Sequence, residues 1–134
     1  MMKQKKENSC HLLTEYPFTF ACIVLIWVLS FITPPQTPLE GIRFIDKWTH
    51  LVMYGGTTGV LWTEHIVRHG RRSVRGVLLV CLALVVMSGC IELLQEYCTG
   101  GRRSGDWFDL AANSTGVVLG IVCGAMLRAF RRKR

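Results

Sequence analysis

Ionisable and amide side chains recur at helical spacing beside long apolar runs of this sequence. Asp46, His50 and Tyr54 step by four residues, which puts them on one stripe of a helix. Glu92, Gln95 and Glu96 share a face of a second helix. Asp109 and Asn113 share a face of a third, and Gly116 and Gly120 continue it. These groups can support three kinds of chemistry. His50 can act as a general base near neutral pH, with Asp46 or Asp109 orienting it. Arg103, beside Arg102, can hold a phosphate or carboxylate or stabilise developing negative charge, because a guanidinium fork fits such oxygens. Glu92, Asp106 and Asp109 offer the oxygen ligands that Mg²⁺ or Ca²⁺ takes. No HExxH, GxSxG or paired acidic repeat is present, and no catalytic nucleophile is evident. The balance leans away from an enzyme, and no motif specifies a metal or an organic cofactor.

The elements that must position these residues are helices in lipid. Half of the 134 residues are hydrophobic and 19% are charged. The mean hydropathy is +0.31. A water-soluble domain of this size needs a more polar surface. The apolar residues also gather into runs near 16–33, 44–62, 74–97 and 106–130, each about long enough to cross a hydrocarbon core of roughly 30 Å. The expected fold is an all-α membrane protein with four transmembrane helices, in one domain over 16–130. A tail over 1–15 precedes it and a basic tail over 131–134 follows. The basic start and first apolar run are not read as a cleaved signal, because no small-x-small site follows. Pro34, Pro35 and Pro38 end that helix instead, since proline cannot donate to the helical ladder.

The basic residues set the expected orientation. Twelve of the sixteen Lys and Arg fall in the N-terminal tail, the loop from Glu64 to Arg75, or the C-terminal end. The positive-inside rule places that side in the cytoplasm, with both termini. Only Arg43, Lys47, Arg102 and Arg103 remain for the outer side. The net charge of +7 therefore belongs to membrane boundaries, and no nucleic-acid partner is expected. This topology brings Asp46, His50, Glu92, Gln95, Asp106, Asp109 and Asn113 to one depth at the outer face. Charges near hydrocarbon cost about 2.5 to 3.5 kcal/mol each at a helix centre, so they persist when they pair or perform a task.

Three segments resemble the VanZ-like family. They are Asp46-Lys47-Trp48-Thr49-His50 with Tyr54, then Glu92-Leu93-Leu94-Gln95, then Arg103-Ser104-Gly105-Asp106 through Asp109 and Asn113 to Gly116. The stretch between Gln95 and Arg103 is a residue or two longer than the family pattern, so Arg102 and Arg103 both remain candidates for the family arginine. The resemblance implies a four-helix membrane protein of the bacterial inner (plasma) membrane. It also implies a link to resistance against teicoplanin-type glycopeptides. The binding candidates are Asp46, His50, Tyr54, Glu92, Gln95, Arg103, Asp106, Asp109 and Asn113. His50, Asp46 and Asp109 are the catalytic candidates if there is catalysis. Three roles stay open: binding a membrane lipid or lipid-linked cell-wall precursor, an intramembrane hydrolase or transferase acting on a lipid-linked headgroup, and a structural polar network.

Other features have simpler readings. Gly55, Gly56 and Gly59 are expected at close helix contacts. His65 and His69 are expected on a solvated basic loop. The six cysteines show neither metal nor disulfide spacing. Cys22, Cys81, Cys90 and Cys123 lie within apolar runs, whereas Cys10 and Cys98 do not.

Overall fold

The apolar runs fold as helices. The computed structural model describes residues 13–32, 38–42, 44–70 and 73–134. The described residues contain no strand. Their long helices are α1 (Pro17–Phe31), α2 (Ile45–His69), α3 (Arg75–Cys98) and α4 (Trp107–Lys133), with a 3₁₀ turn at Pro38–Gly41. The expected readings at Cys10, Pro34, Pro35, Arg43 and the lysines of the N-terminal tail lie outside the described residues.

Local chemistry explains several boundaries. Tyr16 leaves helical geometry (φ −134°, ψ 59°) directly before Pro17, because the proline ring crowds the residue preceding it. Pro17 then opens α1, where its missing N–H costs nothing. Gly100 and Gly101 adopt left-handed backbone at φ 61° and 82° and turn the chain after α3. Asp106 caps α4 by accepting a hydrogen bond from the Phe108 N–H at 2.8 Å.

One boundary differs from the expectation. α2 continues to His69, although its predicted end was at 62 and a loop was expected from Glu64. The reason is packing: Glu64, His65 and Ile66 are buried. Glu64 and His65 bond the start of α1 and the residue before it instead of opening a solvated loop. α3 and α4 are long and apolar enough to cross a membrane, whereas α1 is a shorter apolar helix.

The distribution of polarity is inverted relative to a water-soluble bundle. Leu79, Leu82, Val86, Val118 and Val122 are exposed, while Thr58, Ser88 and Asn113 are almost wholly buried. Contiguous exposed apolar surface with a polar interior suits lipid as the solvent.

The closest helix pair is α2 with α4. A Cβ added at Gly116 would lie 2.3 Å from the Leu51 carbonyl oxygen. Added at Gly120 it would lie 2.6 Å from Thr58 Cβ, and at Gly124 it would lie 2.2 Å from Trp62 Cγ. Gly55 faces Gly116 across this seam. Gly56 and Gly59 do not share that role, since an added Cβ meets nothing within 4 Å at either. They line an open apolar groove with Phe18, Cys22 and Leu25. Gly116→Ala should therefore destabilise the purified protein by about 1–3 kcal/mol, the usual cost of overpacking. Gly59→Ala should be neutral or slightly stabilising. Thermal unfolding of both variants in detergent checks the contrast.

Candidate functional site

The α2–α4 seam brings the first turns of these helices together. Lys47 extends from α2 across to α4. Its ammonium donates to Asp109, to Asp106 at 2.5 Å and to Asp46 at 3.3 Å. Three carboxylates around one ammonium leave an excess of negative charge at this end of the bundle. His50 lies one turn deeper and is buried. Its Nδ1 is 3.0 Å from Asn113 Oδ1, and Asn113 Nδ2 donates to Ser88 Oγ at 2.7 Å. With the Asn113 amide oriented in this way, the His50 proton sits on Nδ1 and donates to Oδ1. Nε2 then points between two carboxylates, 3.6 Å from Asp109 Oδ2 and 3.8 Å from Asp46 Oδ1.

α3 supplies the next layer. Glu92 is buried, and one of its oxygens accepts the Asp106 N–H at 2.9 Å. Its other oxygen, Oε1, has no hydrogen-bond partner among the described residues. Glu96 accepts the Gly105 N–H at 2.8 Å. Thr99 bridges the loop by bonding both the N–H and the carbonyl of Arg103. Buried Tyr54 lies deeper, beside Ser88. A cavity of about 260 Å³ opens next to the cluster, with Glu92, Glu96 and Asp106 on its polar side and Leu93, Tyr97 and Trp107 on its apolar side.

The structure thus joins Asp46, His50, Asp106, Asp109 and Asn113, with Glu92 beside them. It places two predicted residues elsewhere. Gln95 points to α1 and donates to the Ser30 carbonyl at 2.6 Å. Arg103 is held by its main chain, and among the described residues no hydrogen bond links its guanidinium to the cluster. Arg102 Nε donates to the Thr99 carbonyl at 3.2 Å. The cation at the centre is Lys47, which is not among the residues expected to bind. Its spacing from Asp46 and His50 gave the available signal.

Sequence reasoning also missed a second polar cluster, at the opposite end of α2. Glu64 accepts hydrogen bonds from the Thr19 N–H at 2.8 Å, the Thr19 hydroxyl at 2.6 Å and the Phe18 N–H at 3.0 Å. It thereby satisfies the unpaired amides at the start of α1. The Tyr16 hydroxyl bonds His65 Nδ1 at 2.9 Å, and His69 Nε2 lies 2.6 Å from Glu15. These histidines are therefore packing partners of the segment that leads into α1 and not a solvated face. No local pattern signals this, because the partners are more than forty residues apart.

With this geometry in view, comparison with known proteins gives one result. The VanZ/LLP1 family model matches residues 3–128, nearly the whole chain. The chain belongs to the VanZ/LLP1 family. No curated protein and no solved structure matches it. In this VanZ/LLP1 protein the matched region includes the whole Lys47–His50–Asp109 cluster as well as the Glu64 contact.

The cluster has a defined electrostatic character. The Lys47 ammonium, aided by the Phe108 N–H, holds the Asp106 carboxyl below the usual carboxylate range. A carboxyl with a depressed folded-state pKa contributes stability above its unfolded value. That contribution disappears as pH falls through the folded value. Asp106→Asn keeps the helix cap but removes the charge. Its thermal midpoint should fall below that of wild type at neutral pH, and the gap should close as pH drops below about 4. Melting curves across pH check both the sign and the window.

Proposed function

We propose that this VanZ/LLP1 protein is a multi-pass protein of the bacterial inner membrane that binds the polar headgroup of a membrane lipid at its outer face. α1 to α4 are its four spans, and both termini are cytoplasmic. The ligand class is a lipid-linked cell-wall precursor, and through it the protein contributes to resistance against teicoplanin-type glycopeptides.

The observation that carries this reading is the cavity beside the cluster. It puts carboxylates against exposed aromatic and aliphatic side chains at the end of a bundle with an apolar exterior. A lipid carries the same pairing of polar head and apolar tail. Family membership adds the link to glycopeptide resistance. The apolar exterior supports lipid as the surroundings. The basic C-terminal end of α4, Arg131 to Arg134, supports a cytoplasmic placement for that end. α3 spans about 36 Å at 1.5 Å per residue, enough for a hydrocarbon core of roughly 30 Å.

A second reading rests on one feature. His50 has its Nδ1 engaged by Asn113, which leaves Nε2 as its reactive nitrogen. That arrangement suits a general base in a hydrolase or transferase acting on the same headgroup. A purely structural network is the third reading, and it predicts loss of folding when the cluster is changed.

Teicoplanin and vancomycin susceptibility in a Gram-positive host separates a functional cluster, binding or catalytic, from a purely structural one. Equal amounts of wild type, His50→Ala and Asp109→Asn are compared, and folding is checked by detergent gel filtration. Wild type should protect selectively against teicoplanin, and the folded variants should not. Absence of protection by folded wild type would sink the resistance role. Misfolding of both variants would favour the structural reading.

Orientation has a separate test. In intact cells a membrane-impermeant maleimide should label exposed Cys98 and should leave a cysteine introduced at Ser73 unlabelled. The opposite pattern would invert the topology.

A further inference from the structure

We propose that Asp46, His50 and Asp109 form a binding site for a first-row divalent metal ion, with Zn²⁺ as the best fit. Imidazole and carboxylate ligands are the usual donors to Zn²⁺. One ligand atom from each of these side chains lies within 4.8 Å of the others. His50 Nε2 is 3.6 Å from Asp109 Oδ2 and 3.8 Å from Asp46 Oδ1. Metal bonds of about 2.0 to 2.2 Å at tetrahedral angles put ligand atoms roughly 3.3 to 3.6 Å apart. The two His50–carboxylate distances therefore need to contract by only a few tenths of an ångström, and the two carboxylate oxygens lie within 4.8 Å of each other.

The surroundings fit ligation as well. The His50 side chain is 9% exposed, and its Nε2 is aimed at two carboxylates without a hydrogen bond to either. Nδ1 is engaged by Asn113, so Nε2 is the ring nitrogen that faces the two carboxylate oxygens, and a cation held between them would bridge all three side chains. The Nδ1–H bond to the Asn113 carbonyl is the outer hydrogen bond that metal-binding histidines ordinarily make. Lys47 does not take the same position. It bonds Asp109 through Oδ1 and Asp46 through Oδ2, leaving the other oxygen of each for the metal. Lys47 neutralises only part of the local charge, since one ammonium faces the carboxylates of Asp46, Asp106 and Asp109. Glu92 Oε1 is buried there without a hydrogen-bond partner among the described residues.

Three protein ligands leave a fourth position open, as in catalytic zinc sites. That position would take a water molecule or a phosphate oxygen. This last step rests on the headgroup reading above: a cation held beside the Asp106 wall of the cavity would offset its carboxylates toward an anionic headgroup. The ion site itself rests only on the three side chains.

Full-length protein in detergent, with no affinity tag and no added lipid, is titrated with Zn²⁺ by competition with a chromogenic chelator. Wild type should bind one equivalent. His50→Gln and Asp109→Asn should bind at least about 100-fold more weakly, and Asn113→Ala about 10- to 100-fold more weakly, the usual range for an outer-shell change. His65→Gln/His69→Gln should bind like wild type, which separates this site from the cluster at the other end of α2. X-ray absorption of Zn²⁺-loaded wild type does not depend on any variant folding, and it should show one imidazole with oxygen ligands. No binding by folded wild type, full binding by folded His50→Gln, or a first shell with sulfur or two imidazoles would overturn the proposal. Loss of Zn²⁺ binding leaves the susceptibility result to stand or fall alone, and a negative susceptibility result leaves the ion site intact.

Discussion

The backbone contact between α2 and α4 governs the rest of this structure. Gly116, Gly120 and Gly124 recur every four residues and remove the side chains that would hold the helices apart. In lipid the hydrophobic effect does not drive helices together, so close packing and buried hydrogen bonds must do so. The resulting register is specific. It lays the first turn of α2 against the first turn of α4, and Lys47 then reaches Asp106 and Asp109. A shift of one residue along either helix would rotate these groups by about 100° and separate them.

Buried polar groups explain how the shorter α1 is held. Its first amides are satisfied by Glu64 of α2, and the Ser30 carbonyl near its end is satisfied by Gln95 of α3. An unsatisfied backbone group in an apolar medium costs several kcal/mol. Side chains that resemble site residues in the sequence can therefore be parts of the scaffold. Gln95 is the clearest case. It lies one turn from Glu92 on the same helix, yet it serves α1 and not the cavity.

The acidic cluster has two layers that do different work. Lys47 gathers carboxylates from α2 and α4 near the surface. His50, Asn113 and Ser88 form a buried chain across three helices beneath it. The upper layer holds the helix starts together against carboxylate repulsion. The lower layer fixes the orientation of one imidazole. This division leaves His50 Nε2 as the one ring nitrogen that the chain does not use.

The sequence alone determined the all-helical class, the family, the positions of the long apolar helices and most of the cluster. The family follows from its three motif segments, and the rest from local periodicity: residues four apart share a helix face whatever the tertiary arrangement. The stripe Asp46–His50 and the stripe Asp109–Asn113 were legible for that reason, and so was the small-residue face at Gly116 and Gly120. Only the tertiary structure decided which faces meet. It made Lys47 the central cation and left Arg103 tied to its own loop. It turned Gln95 toward α1, set Gly56 and Gly59 on open surface, and extended α2 so that Glu64 could cap a helix far away in the chain. Periodicity reports a side chain's direction relative to its own axis. Partners across helices depend on axis separation and register, which arise only when the whole bundle packs.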